Sequence, residues 1–268
     1  MMIRMPVVAG QFYPSEPKIL IEYLEKYIPK DIPKAPALGI VVPHAGYMYS
    51  GSVAGSVYGS LLLPDTFIIL GPNHTGIGES FAVMSEGSWQ TPLGTVNIDK
   101  TLAHLILTEN KIFTLDPIAH RFEHSIEVQL PFLQYLKKDF SFVPIMLSHA
   151  KYRQCETLGQ TLAQAIHKFN KPILIIASSD MTHYEAYEIA KKKDNLAIEQ
   201  ILALEPEKLY QTVHTHNITM CGIIPTTVML IATKALGAKK AKLVTYATSG
   251  DISGDYAQVV GYTGIIIK

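Results

Sequence analysis

Three histidines in this chain each follow a short apolar run. Leu38–Val42 leads to Pro43-His44-Ala45-Gly46-Tyr47, Phe67–Leu70 leads to Gly71-Pro72-Asn73-His74, and Ile173–Ala177 leads to Ser178-Ser179-Asp180-Met181-Thr182-His183. Imidazole holds transition metals and moves protons near neutral pH. A single histidine at such a place has the ordinary reading of a hydrogen-bonded structural group. Three delivered to one edge of a sheet point to a metal site.

His44 and His74 carry nitrogen donors suited to Fe, Cu, Zn or Ni. Cys221, followed by Gly222, stands just ahead of an apolar segment, Ile223–Leu236. The N-terminus of a helix there would lower the thiol pKa and favour a thiolate ligand. The competing reading of Cys221 is a small buried hydrophobe. Two histidines and one cysteine leave positions open for water or substrate, which is a catalytic arrangement. His183 lies three residues after Asp180, so one turn would set the carboxylate against the ring. His183 is then either a further ligand or a general acid/base. His124 and Glu127, three apart in Glu123-His124-Ser125-Ile126-Glu127, read as a second layer around the metal or as a solvated helix face. Tyr47, Tyr49 and Trp89 would line a pocket for an aromatic substrate or belong to the core. His214 and His216 have a surface reading.

The elements that must position these residues follow from the pattern. The three apolar runs are rich in β-branched residues and do not alternate, as strands buried on both faces do. Ligands in open α/β sheets bind beyond the carboxyl ends of such strands. Ser15 is expected to cap a helix through Tyr27. The glycine-spaced segment Gly51–Gly59 predicts a helix whose backbone lies close to the sheet. Phe81–Met84 and Gly94–Ile98 read as short strands flanking Trp89–Leu93, and Asp99 caps the helix after them. Another capped helix begins near Glu123, kinked or delayed by Pro131. Further strands are expected over Phe142–Leu147, Lys242–Ala247 and Ala257–Ile267, and further helices over Cys155–Phe169, Tyr187–Leu204 and Pro206–Val213. Strand and helix alternate without a repeat. The fold class is therefore α/β, one domain over residues 1–268, with a central mixed, largely parallel β-sheet flanked by helices on both faces.

The 268 residues, 48% of them hydrophobic, suffice for a substantial core, and no linker divides them. Lys+Arg and Asp+Glu balance at 23 each, which argues against nucleic acid or an acidic membrane as partner. A small-molecule substrate or a peptide is the expected partner, and an oligomer is left open. The 2 cysteines, Cys155 and Cys221, sit in dissimilar surroundings and speak against a disulfide framework. The N-terminus lacks a signal-peptide pattern and no apolar run has membrane-spanning length, so a cytoplasmic location is expected.

Taken together these segments resemble the Memo family, also known as the AmmeMemoRadiSam system protein B group. The resemblance runs nearly end to end. It rests on Val8-Ala9-Gly10-Gln11-Phe12-Tyr13-Pro14, Pro43-His44-Ala45-Gly46-Tyr47 with Tyr49-Ser50-Gly51, Leu70-Gly71-Pro72-Asn73-His74, and Thr91-Pro92-Leu93-Gly94. It continues through Glu123-His124-Ser125-Ile126-Glu127, Ser178-Ser179-Asp180 with His183, and Asn217-Ile218-Thr219-Met220-Cys221-Gly222. The family is similar in fold to class III extradiol dioxygenases. The resemblance implies His44, His74 and Cys221 as metal ligands, Asp180 and His183 beside the metal, and Fe(II) or Cu as the ion, with Zn also compatible. Ring-cleaving dioxygenases of that class hold ferrous iron with two histidines and a carboxylate. A thiolate at Cys221 departs from that set and alters ligand softness and redox potential.

The leading expectation is a mononuclear metal-binding protein with a dioxygenase-like, oxidoreductase-type cleft, His183 and Asp180 being its catalytic pair. The first alternative is a non-enzymatic protein- or peptide-binding module on the same fold. The second is a zinc-dependent hydrolase.

Overall fold

Thr66–Pro72 is buried along its whole length, and its neighbours explain why. In this computed structural model, which describes residues 2–268, Phe67 and Ile69 enter one hydrophobic cluster while Ile68 and Leu70 enter another on the opposite face. Successive side chains of a strand point to opposite faces, so an unbroken apolar run needs cover on both. Helices Pro17–Tyr27, Tyr47–Gly59 and Leu130–Leu136 cover one face. Lys100–Glu109, Tyr152–Phe169 and Ile223–Ala235 cover the other, backed by Tyr187–Leu202 and Pro206–Thr215.

The sheet runs Ile3–Arg4, Ser88–Thr91, Gly94–Ile98, Ser141–Leu147, Thr66–Pro72, Ile173–Ser178, Gly39–Val42, Val259–Ile267, His183–Glu185. From Gly94–Ile98 to Gly39–Val42 every neighbouring pair is parallel. Val259–Ile267 pairs antiparallel with Gly39–Val42, with His183–Glu185 and with Ala241–Thr248. The architecture is the mixed, mostly parallel sheet between helical layers that the sequence predicts. No helix among the described residues is long and apolar enough to cross a membrane. Cys155 is buried in the core, and it and Cys221 are both free thiols.

Several local expectations change. The first helix begins at Pro17 with Glu16 at its cap position and no side-chain cap bond. Ser15 lies one residue too far upstream, and proline at the first turn already removes one unpaired amide. Ser88–Thr91 is itself a strand, forming a hairpin with Gly94–Ile98 around Pro92-Leu93. The Asp99 cap forms as expected, its carboxylate accepting from the Leu102 amide at 3.0 Å. The glycine face of Tyr47–Gly59 approaches the end of the first helix rather than the sheet. A Cβ on Gly51 would lie 2.7 Å from the Tyr27 ring, and one on Gly55 would overlap the Tyr27 carbonyl.

Glu127 does not pair with His124. The chain is irregular through Ile126, makes a short 3-10 turn over Glu127–Gln129 and becomes α-helical only at Leu130, with Pro131 accommodated in the first turn. Glu127 is fully buried and accepts from the Val7 and Val8 amides and, at 2.7 Å, from the Tyr13 hydroxyl. Its ion-pair partner is Arg4 at 2.6 Å. Arg4 also donates to the carbonyls of His120 and Glu123 at 2.8 and 2.5 Å and stacks 4.0 Å over Trp89. One guanidinium thus ties the N-terminal segment to the loop that carries Glu123 and His124.

Arg4→Met would strand a buried carboxylate, and we expect a loss of about 3–5 kcal/mol in urea unfolding. A loss below about 1 kcal/mol, the range of an exposed pair, would contradict that reading. Gly55→Ala should destabilise by about 1–3 kcal/mol through overpacking, although alanine favours a helix by roughly 1 kcal/mol. Thermal unfolding beside the exposed control Ser52→Ala measures the difference.

Candidate metal centre

The strands Gly39–Val42, Thr66–Pro72 and Ile173–Ser178 end at one edge of the sheet, and the turns after them bring His44, His74 and Asp180 together. Cys221 reaches the same place from a distant part of the chain. The Gly222 amide donates to Ser179 Oγ at 3.1 Å, and the Asp180 amide donates to Cys221 Sγ at 3.2 Å. Gly222 must be glycine for this fit, since a Cβ there would overlap Ser178 and Ser179. His44 Nε2 lies 3.2 Å from Cys221 Sγ, and donor atoms of His44, His74 and Cys221 all lie within 4.8 Å of one another.

Each histidine is held through its Nδ1. His44 Nδ1 is 2.9 Å from Ser178 Oγ. His74 Nδ1 donates to Glu123 Oε1 at 3.0 Å, while the His74 amide donates to Oε2 at 2.6 Å. Glu123 also accepts from the His124 and Ser125 amides. Burial pushes the Glu123 carboxyl up, but the hydrogen bond and charge of His74, with His124 and Ser125 adding, outweigh it and hold the group down at about 2. An ionised Glu123 accepts only, so Nδ1 of His74 carries a proton, and in the neutral tautomer this leaves the Nε2 lone pair free. His183 Nδ1 donates to the Thr219 carbonyl at 2.9 Å and is left in the same state. His124 stacks on His74 with ring centroids 4.8 Å apart and meets Phe12 at the same separation with the rings tilted by 60°.

His44 is buried, and desolvation lowers its pKa well below the usual range, helped by His74, His124 and His183. The ring is neutral, as a metal ligand must be. Burial likewise raises Asp180 to about 6, against the opposing His44 amide. Burial pushes the half-buried Cys221 thiol well above its ordinary value, and the Asp180 carboxylate adds to this. The lowering anticipated from the following helix is outweighed. The donor set nevertheless suits a first-row transition metal. Two neutral imidazoles and one sulfur converge, and the imidazoles are oriented from behind as metal-bound histidines are.

The predicted Asp180–His183 pair does not form. Residues 179–182 are irregular and continue into the strand His183–Glu185, so no helical turn sets the carboxylate against the ring, and no hydrogen bond joins the two. Asp180 Oδ1 instead accepts from the His44 amide at 2.8 Å and the Ala45 amide at 3.4 Å, clamping the His44 turn. Both Asp180 and His183 line a cleft of about 470 Å³ with His44, His74 and His124. Tyr49 lines it too, but Tyr47 and Trp89 do not. The Tyr47 hydroxyl donates to the Val128 carbonyl at 2.6 Å, and Trp89 is buried between Arg4 and Phe142. His214 stacks on Tyr210, outside the cleft. Sequence reasoning missed Glu123 as the partner of His74. An acidic residue next to His124 was visible, but it read as a helix start. It also missed Gln129, Tyr184 and Tyr262, which carry no local signal of a site. A second cluster, His74, Glu123 and His124, also gathers donor atoms. There Glu123 is fully buried and its oxygens already serve three amides and a ring, so this cluster is a support for His74.

The chain is similar over its whole length to known proteins. A MEMO1 family protein of Methanocaldococcus jannaschii is 46% identical, covering 99% of both chains. One of Methanopyrus kandleri is 43% identical over 100% of this chain and 99% of its own. One of Methanosarcina mazei is 45% identical over the whole of both. Among solved structures, an uncharacterized protein of Escherichia coli K12 superposes with a TM-score of 0.60 at 15% identity, covering 85% of this chain and 98% of that one, a likeness of fold alone. The profile of the Memo-like protein family matches residues 4–266, and the chain belongs to that family.

Proposed function

We propose that the protein is a mononuclear metal-binding protein with an oxidoreductase-type, dioxygenase-like cleft, in which His44, His74 and Cys221 hold iron or copper. The observation that supports this most is the mutual approach of the three donor groups within 4.8 Å, with each histidine fixed through the nitrogen that faces away. When bound, the metal supplies Lewis acidity and, for iron or copper, a route for electrons.

The chain's own residues do the rest. Asp180 keeps the His44 turn closed through two amide hydrogen bonds. Glu123 keeps His74 facing the cleft. His183 stands at the cleft with Nδ1 occupied by the Thr219 carbonyl, so its Nε2 takes or gives the proton as general acid/base. The aromatic rings of Phe12, Tyr49, Tyr184 and Tyr262 wall a space that suits a small organic substrate. No lysine or arginine among the described residues lines it, so a substrate there is not anchored by a cationic side chain.

Metal analysis after anaerobic purification should find stoichiometric iron or copper in the wild type and background levels in His74→Ala and Cys221→Ala. Wild-type protein without either metal would end the proposal. Stoichiometric zinc with oxygen-independent ester turnover would favour a hydrolase, and peptide binding that survives Cys221→Ala would favour an interaction module. In iron-loaded protein assayed by oxygen uptake with catechols, His183→Ala should retain the metal and lose roughly 10²–10⁴-fold in turnover. Loss of the metal in that variant would make His183 a ligand instead.

A further inference from the structure

Behind His44 lies a group of polar side chains of which the metal-centre reading uses only the Ser178 contact. Tyr58, Gln129, Ser178 and Ser125 are all fully shielded from solvent, and His44 is 2% exposed. Water does not compete here, so every proton position follows from the protein partners. Gln129 Nε2 faces the Pro43 carbonyl at 2.9 Å and Ser178 Oγ at 2.8 Å. A carbonyl only accepts, which fixes the amide with its nitrogen on that side. Gln129 Oε1 then accepts from the Tyr58 hydroxyl at 2.9 Å. Ser178 Oγ contacts the Ser125 carbonyl at 2.7 Å, again an acceptor only. The single Ser178 hydroxyl proton is therefore directed to Ser125. One lone pair of Ser178 is taken by Gln129, and the other faces His44 Nδ1 at 2.9 Å.

From this we propose that Ser178, backed by Gln129 and Tyr58, is a positioning residue that fixes the tautomer of His44: the ring proton is held on Nδ1 and the Nε2 lone pair is kept toward Cys221. The opposite tautomer would require Ser178 to turn its proton to His44. Two oxygen lone pairs would then face each other at the 2.7 Å Ser178–Ser125 contact, in a site with no solvent to relieve them. His74 reaches the same state by a different device, the Glu123 carboxylate. The site thus presents two preset Nε2 lone pairs, one fixed by charge and one by a neutral chain that ends on backbone carbonyls. The consequence for metal binding rests on the His44–His74–Cys221 reading; the tautomer itself does not.

Long-range ring ¹H–¹⁵N correlations on metal-free protein labelled at histidine nitrogen test the proposal, with the His44 signals identified by their loss in His44→Gln. The wild type should show His44 protonated on Nδ1 alone. Ser178→Ala should convert His44 to a mixture or to the Nε2 form while His74 stays unchanged, and Ser178→Thr, which keeps the hydroxyl, should restore the wild-type pattern. Titration with Co²⁺ should show affinity falling about 10–100-fold in Ser178→Ala and recovering in Ser178→Thr. A wild-type His44 carrying its proton on Nε2 would overturn the proposal without recourse to any variant. So would a Ser178→Ala protein with an unaltered tautomer; an altered tautomer with unchanged Co²⁺ affinity would uphold the tautomer assignment and overturn its consequence for metal binding. A wild type with the expected tautomer that binds no Co²⁺ would confirm the tautomer assignment and refute the metal-centre reading.

Discussion

The hydrogen-bond register among three parallel strands is the constraint on which the rest depends. Ser178 is paired with Val42, and Ala177 with both Val41 and Leu70. Three separate parts of the chain therefore leave the sheet at nearly the same level and begin their polar turns side by side. A slip of one residue would move a turn by about 3.3 Å and send every side chain of that strand to the other face. Ser178 would then no longer meet His44. The apolar residues that set the register, Ile40, Ile69 and Ile176 on one face and Val41, Ile68 and Ile175 on the other, are in this sense also what builds the site.

The turns themselves are pinned by carboxylates. Asp180 gathers the amides of His44 and Ala45, and Glu123 gathers those of His74, His124 and Ser125. Backbone amides in a loop at a sheet edge have no strand partner, and a buried carboxylate has four lone-pair sites to satisfy; each answers the other's need. The result is a set of turns tied together by buried hydrogen bonds, although loops are otherwise the least ordered part of an α/β protein. Arg4 extends the same logic outward by joining the N-terminal segment to the Glu123 loop.

Fold likeness to a protein of 15% identity says that this scaffold tolerates wide change in sequence. Chemistry then resides in the few groups mounted at its edge. Cys221 arrives on the loop before an apolar helix and is seated by Gly222, so its position depends on how Ile223–Ala235 packs against the sheet as much as on the turn that it touches.

Much of this was legible in the amino-acid order. Apolar runs without alternation, each broken by a polar turn, are local features, and burial on both faces is the physical state they require. They identified the central strands and the edge at which His44 and His74 gather, while Cys221 was joined to these two only by its place ahead of an apolar helix and by the family resemblance. The tertiary structure alone decided where each side chain points and which partner it meets. It placed Glu123 rather than Glu127 beside the histidines, turned Asp180 from His183 to the His44 amides, and buried Tyr47 and Trp89 away from the cleft. Partners such as Glu123 and His74, 49 residues apart, or Cys221 and His44, 177 apart, are joined by the packing of whole helices against the sheet. No periodicity or spacing along the chain encodes such a meeting, because its geometry exists only once the layers have closed on one another.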